Sequence, residues 1–182
     1  MQTLASTFKH LWIVIAAASL VNVCVASTMS KGQILSTFDE YVRLNDKYVS
    51  AVAAKRPYEQ LEAELVRFGD GQFDAALLSI RVLACAKADD SLVSALIHVI
   101  LRTVNSASEE PDLALGRIFI CQPDSVRRVF KELGPQTQRE FYERLANGVI
   151  GSIADDKVQP SEAQRLRRLL DQIAPNGIKI QQ

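Results

Sequence analysis

Residues 89–104 read DDSLVSALIHVILRTV. Leu92, Val93, Leu96, Ile97, Val99, Ile100, Leu101 and Val104 place apolar side chains nearly all round a helix of this length. A helix of that kind is buried on most of its sides. Only Ser94, His98 and Arg102 interrupt it, at i, i+4 and i+8, which is one polar line along the helix. The run is too short for a membrane span, which needs about 20 apolar residues. Asp89 or Asp90 stands where an N-cap belongs. The segment predicts a central core helix, with the rest of the fold built round it.

Towards the N-terminus, Ser30-x-x-Gln33 is a capping-box pattern leading into Ile34, Leu35, Phe38, Tyr41, Val42, Tyr48, Val49 and Val52 at helical spacing. Pro57 ends that helix and opens a second, whose face is Tyr58, Leu61, Leu65 and Phe68, with Gly69 as its C-terminal cap. Asp70 then caps a third carrying Phe73, Ala76, Leu77, Ile80 and Leu83.

Towards the C-terminus, Ser108 and Pro111 start a short helix through Leu115, Ile118, Phe119 and Cys121, which Pro123 stops. A sixth holds Val126, Val129, Phe130 and Leu133 and closes at Gly134. Thr137-x-x-Glu140 reads as a capping box for a seventh, with Tyr142, Leu145, Val149 and Ile153 on one face and an ordinary Glu140–Arg144 pair on its surface. Gly148 and Gly151 lower helix propensity there, which points to close approach by a neighbouring backbone. Ser161-x-x-Gln164 opens the last helix, and Pro175-Asn176-Gly177 ends it. The tail Ile178-Lys179-Ile180 alternates like a strand without an obvious partner.

The fold class is therefore all-α: one compact domain of about seven to eight helices. Helix-pair starts near Pro57, Asp90 and Asp124 lie 33 and 34 residues apart, the period of helical-hairpin repeats. No repeat signature accompanies the spacing, so an irregular helical bundle and a stack of α-hairpins, similar in outline to a HEAT array, both stand.

Residues 1–26 read as a signal peptide, with residues 27–182 forming the all-α domain. Lys9 supplies the positive n-region, an apolar stretch runs from Leu11, and Val25-Ala26 precedes Ser27 as an acceptable cleavage site. Ser19 and Asn22 break the stretch short of a full span. An uncleaved anchor is the rival reading. A lipid-carrying Cys24 fits worse, because Val23 stands where a small residue belongs. The expected location is periplasmic or secreted, with membrane contact only transient and through the signal.

Composition narrows the function. The 182 residues carry 21 Lys plus Arg against 21 Asp plus Glu, without the basic excess of a nucleic-acid binder. Phosphate-cradling glycine loops, HExxH, CxxC and GxSxG are absent, so no cofactor or metal is implied. Cys85 and Cys121 remain after cleavage, and in an oxidising compartment such a pair predicts a disulfide, two separate buried thiols being the alternative. Closing that loop would contribute roughly 3–4 kcal/mol.

His98, the one histidine left after cleavage, is expected to be a hydrogen-bonded core residue. Asp155-Asp156-Lys157 lacks the calcium-loop register. The acidic pairs Asp39/Glu40 and Glu140/Glu143 and the triplet Glu59/Glu62/Glu64 are the candidate acid–base carboxylates, but each is expected in a helix's first two turns, where the helix dipole already favours acids.

Arg127, Arg128 and Lys131 line the outer side of the sixth helix, and Arg165, Arg167 and Arg168 crowd the eighth. Such groups steer acidic partners. The expected function is an exported, non-catalytic protein that binds another protein, such as an immunity or inhibitor protein or an envelope accessory subunit. Arg127, Arg128, Lys131, Arg165 and Arg168 are the candidate contacts. A helical carrier of an apolar ligand and a cell-wall-directed enzyme are the alternatives.

Overall fold

The computed structural model describes residues 28–103 and 108–175. Their regular elements are all helical: α1 (Lys31–Ala53), α2 (Glu59–Phe68), a π-helical turn (Gly69–Phe73), α3 (Asp74–Ala86), α4 (Asp90–Arg102), α5 (Glu110–Cys121), α6 (Pro123–Glu132), α7 (Pro135–Asp155) and α8 (Pro160–Asp171). The expected signal peptide, Val104 and the alternating tail lie outside the described residues.

Two rows of helices pack face to face. α3, α5 and α7 lie side by side in one, and α1, α4 and α6 in the other. Neighbours within a row run parallel. Lys31, opening α1, donates to Asp89 at the start of α4, and Arg128 of α6 donates back to Asp90. The ends of α3 and α5 are joined through Cys85 and Cys121. The hairpins α3–α4 and α5–α6 are thus stacked, which favours the hairpin arrangement over an irregular bundle. Cys85 and Cys121 are 36 residues apart, and Asp112 and Gly148 repeat that offset from α5 to α7, slightly longer than the spacing of the helix starts. α8 closes the end of the stack, where Tyr142 donates to the Leu170 carbonyl at 3.3 Å.

The core sits between the rows. Leu92, Val93, Leu96, Ile97, Val99 and Ile100 of α4 are all buried, as its apolar circumference requires. α5 is as deeply enclosed, with Leu115, Ile118 and Phe119 fully buried. His98 is a correction: it is exposed, as are Ser94 and Arg102's guanidinium, because the polar line of α4 faces outward between α1 and α6.

Several helix ends differ from expectation, mostly because proline decided them. Gly69 stands at the C-cap of α2 but does not end the helix, and Asp70 does not cap α3. Gly69 is right-handed helical (φ −56°, ψ −61°), and α2 passes into α3 through the π turn without a break. α2 itself starts at Glu59, two residues after Pro57. The Thr137/Glu140 and Ser161/Gln164 boxes do not form, because α7 and α8 start earlier, at Pro135 and Pro160. Proline's fixed φ suits the first helical position and its missing N–H costs nothing there. Pro123, read as a stop, also opens α6. The Ser30/Gln33 box forms, and Asp89 rather than Asp90 caps α4, accepting from the backbone of Ser91 and Leu92.

α5 and α7 approach most closely. A methyl group on Gly116 would fall 2.0 Å from the Gly148 carbonyl oxygen, and one on Gly151 would fall 2.9 Å from a Leu113 methyl. Gly148 thus lies against a neighbouring backbone as expected, whereas Gly151 lies against the Leu113 side chain rather than backbone. Ser152 fills the seam by donating to the Leu113 carbonyl at 3.0 Å.

Candidate functional site

α6 buries Val126, Val129 and Phe130, which turns Arg128 and Lys131 to the outside; Arg127, expected on the outer side, is instead half-buried, because it folds back toward α8. Arg127 reaches Asp124 at 3.2 Å and the Gln172 side chain, just past α8, at 3.3 Å. Arg128 makes two bonds of 2.9 Å to Asp90. That carboxylate holds the guanidinium above its ordinary range, while Arg128 and then Ser125 hold Asp90 below its own. Arg165 is paired in the same two-pronged way with Glu162, at 2.8 and 2.6 Å. Lys131, Arg167 and Arg168 are exposed and make no ion pair among the described residues.

The two basic groups, distant in sequence, meet at one end of the stack. Arg127 bridges α6 to α8, and the charge of Asp124 acts on both Arg128 and Arg165. Beside them a cleft of about 350 Å³ opens between the end of α6, the start of α7 and the segment after α8. Phe130 and Ile173 line it together with Lys131 and Arg139. Gln138 stiffens one wall, its amide donating to the carbonyls of Phe130, Lys131 and Leu133 at the α6 terminus.

The remaining polar candidates are engaged elsewhere. Cys85 and Cys121 form a disulfide with Cα atoms 5.5 Å apart, inside the range the bond requires. Arg144 does not pair with Glu140. It donates to Asp112 at 3.0 Å and to the Ile100 carbonyl at 2.6 Å, and Glu140 accepts from Gln136 instead. The inward-facing Asp112 competes better because it is largely enclosed in the α5–α7 seam. Burial pushes its carboxyl up, against the opposing pull of Arg144. Asp155 and Asp156 are paired with Arg117, and Asp156 also with Arg81. Glu40 is held down by its bond to Arg43. No group of three metal-ligating side chains occurs among the described residues. None of the described helices is long and apolar enough to cross a membrane.

No family model, curated protein or solved structure matches this chain.

One feature escaped the sequence reading. Around the π turn, α1 and α2 leave a cleft of about 340 Å³ that joins aromatic walls to a rim of acids. The sequence signal was Gly69-Asp70-Gly71, read above as a helix break. A π turn instead keeps the helix going while widening it, and such turns are frequent at functional sites.

Proposed function

We propose that this chain is an exported, non-catalytic helical protein that acts by binding another protein through the basic face of α6 and α8, as an inhibitor or accessory subunit does. The observation that carries this reading is the convergence of Arg127, Arg128, Lys131 and Arg165 on one end of the stack, with Arg168 exposed on the same helix as Arg165. Three of these arginines are held in position by carboxylates. Lys131 is left exposed beside a cleft that Phe130 and Ile173 also line, and Arg168 is exposed on α8. Fixed and free cations together suit an acidic protein surface that inserts an apolar side chain. The apolar side chains of α4 pack into the core cluster, which gives the carrier alternative little to work with.

The test is affinity capture from the native cell envelope with the parent protein and with the Lys131→Glu/Arg168→Glu variant. The reading expects one stoichiometric protein partner, weakened by salt and lost with the variant. No partner at low salt, or a partner retained equally by the variant, overturns it.

A further inference from the structure

The outer face of α3 is apolar along its whole length. Ala76, Leu77, Ile80 and Ala84 are buried toward the core, whereas Ala75, Leu78, Val82 and Ala86 recur at i, i+3, i+7 and i+11 on the opposite side. All four are exposed. Leu78 at 63 % and Val82 at 55 % are the most exposed large apolar side chains among the described residues. The polar side chains within α3 that could break this stripe are engaged elsewhere. Ser79 accepts from the Met29 N–H, and Arg81 pairs with Asp156 at 3.6 Å.

The charges at the two ends of the stripe are opposite. Asp74 stands six residues before the midpoint of Leu78 and Val82, and Lys87 stands seven after it. Along the helix these are roughly 9 and 10 Å. Both residues are exposed, and neither is ion-paired among the described residues. Asp74 stands among like charges: burial first, then Glu110 and Asp70, push its carboxyl above the usual range. The stripe thus carries an acid at one end and a base at the other, both without a countercharge.

We infer that α3 is the contact of a homodimer in which two copies lay this stripe against each other, antiparallel, about a two-fold axis. An axis through the Leu78–Val82 midpoint seats Leu78 on the second copy's Val82 and brings Asp74 beside its Lys87. The symmetry repeats both contacts, so the two charge pairs form together. Ala75 and Ala86 carry too little bulk to hold the helices apart on either side of the central pair. Opposite charges at matching distances from one point suit a second copy of this chain, and an unrelated partner would require no such balance. One helix face is smaller than a standard interface of roughly 1,200–2,000 Å², so the dimer is weak and reversible.

Sedimentation equilibrium of the purified protein, from micromolar to submillimolar concentration, tests the assignment. A reversible monomer–dimer equilibrium is expected. The Leu78→Glu/Val82→Glu variant changes only exposed side chains and is expected to stay monomeric throughout, with unchanged helical circular dichroism. Lys87→Glu sets like charges against each other twice and is expected to weaken the dimer about tenfold or more. Adding Asp74→Lys to Lys87→Glu reverses both pairs and is expected to bring the affinity back to within about threefold of the parent's. A monomer at every concentration overturns the proposal. So does a dimer that persists in the Leu78→Glu/Val82→Glu variant, one that Lys87→Glu leaves unchanged, or one that Asp74→Lys fails to rescue.

Discussion

Gly148 of α7 lies against the backbone carbonyl of Asp112 in α5, so that a methyl group on its Cα would fall 2.1 Å from that oxygen. The obstacle is backbone, which cannot swing aside as a side-chain tip does. Gly148→Ala therefore has to separate two central helices that also share Ser152–Leu113 and Arg144–Asp112 bonds. Overpacking of this kind costs about 1–3 kcal/mol, and the upper end is expected here. Gly71, with open space round it, is the control: Gly71→Ala is expected to change stability by less than about 1 kcal/mol. Urea unfolding of the two variants reads the difference. Equal stabilities would contradict the close approach.

The Cys85–Cys121 bond ties the ends of two parallel helices in one row. Its main effect is expected in the unfolded chain, where it closes a long loop. The Cys85→Ser/Cys121→Ser variant should lose roughly 3–4 kcal/mol in the chain-entropy model. Its basic face, at the α6–α8 end, should keep its partner affinity once folded. No free thiol should titrate in residues 27–182 of the denatured, unreduced protein, and two thiols in that stretch would remove the bridge.

Lys55 and Lys157 both adopt φ of 51°, just past the ends of α1 and α7. In each, two backbone bonds turn back into the last helical turn: Lys55 to Val52 and Arg56 to Ala51, then Lys157 to Ala154 and Val158 to Ile153. That is the pattern for which glycine is favoured, because a Cβ is strained in the left-handed region. Lys55→Gly and Lys157→Gly are each expected to stabilise by about 0.5–1 kcal/mol. A raised Tm in both variants confirms it, and a lowered one contradicts the left-handed geometry.

What could be read from sequence was whatever depended on the chain's own periodicity. The core role of α4 follows from an apolar circumference that no surface helix tolerates, and the α5–α7 contact was foreshadowed by two glycines inside a helix. Features set by a choice between competing neighbours were not legible. Arg144 had Glu140 four residues away and took Asp112 from another helix. His98 stood among apolar residues yet points to solvent, because its polar line is the side that the two-row stack leaves open. Gly69-Asp70-Gly71 carried ordinary break chemistry, and only the packing of Phe73 on Tyr41 shows why the helix continues. Of the site, the basic residues were visible in sequence, but their convergence through Asp124 and Gln172 was not.

Asp89 makes the fold sensitive to acid. Its carboxyl is held down at about 2 by the Lys31 ammonium 2.7 Å away, helped by the Ser91 hydroxyl and the Leu92 N–H. In the unfolded chain it titrates near about 3.9. A carboxyl depressed by folding contributes stability that is fully present above the unfolded value and lost as pH falls through the folded one. The loss therefore falls between about pH 4 and about pH 2, and depressed Glu40, Asp90 and Glu162 add to it from the same side. Asp112 runs the other way: burial raises it, so its contribution declines as pH rises through its range. Asp89→Asn separates the cap from the charge, since asparagine still caps a helix but has no carboxyl to titrate. The variant is expected to lose about 1 kcal/mol or less at neutral pH and to show a shallower acid slope than the parent. Lys31→Met should flatten the same window from the partner's side. Urea midpoints measured from pH 7 down to pH 2 give both slopes. Parallel curves for parent and Asp89→Asn would mean that Lys31 does not hold Asp89 in its charged form.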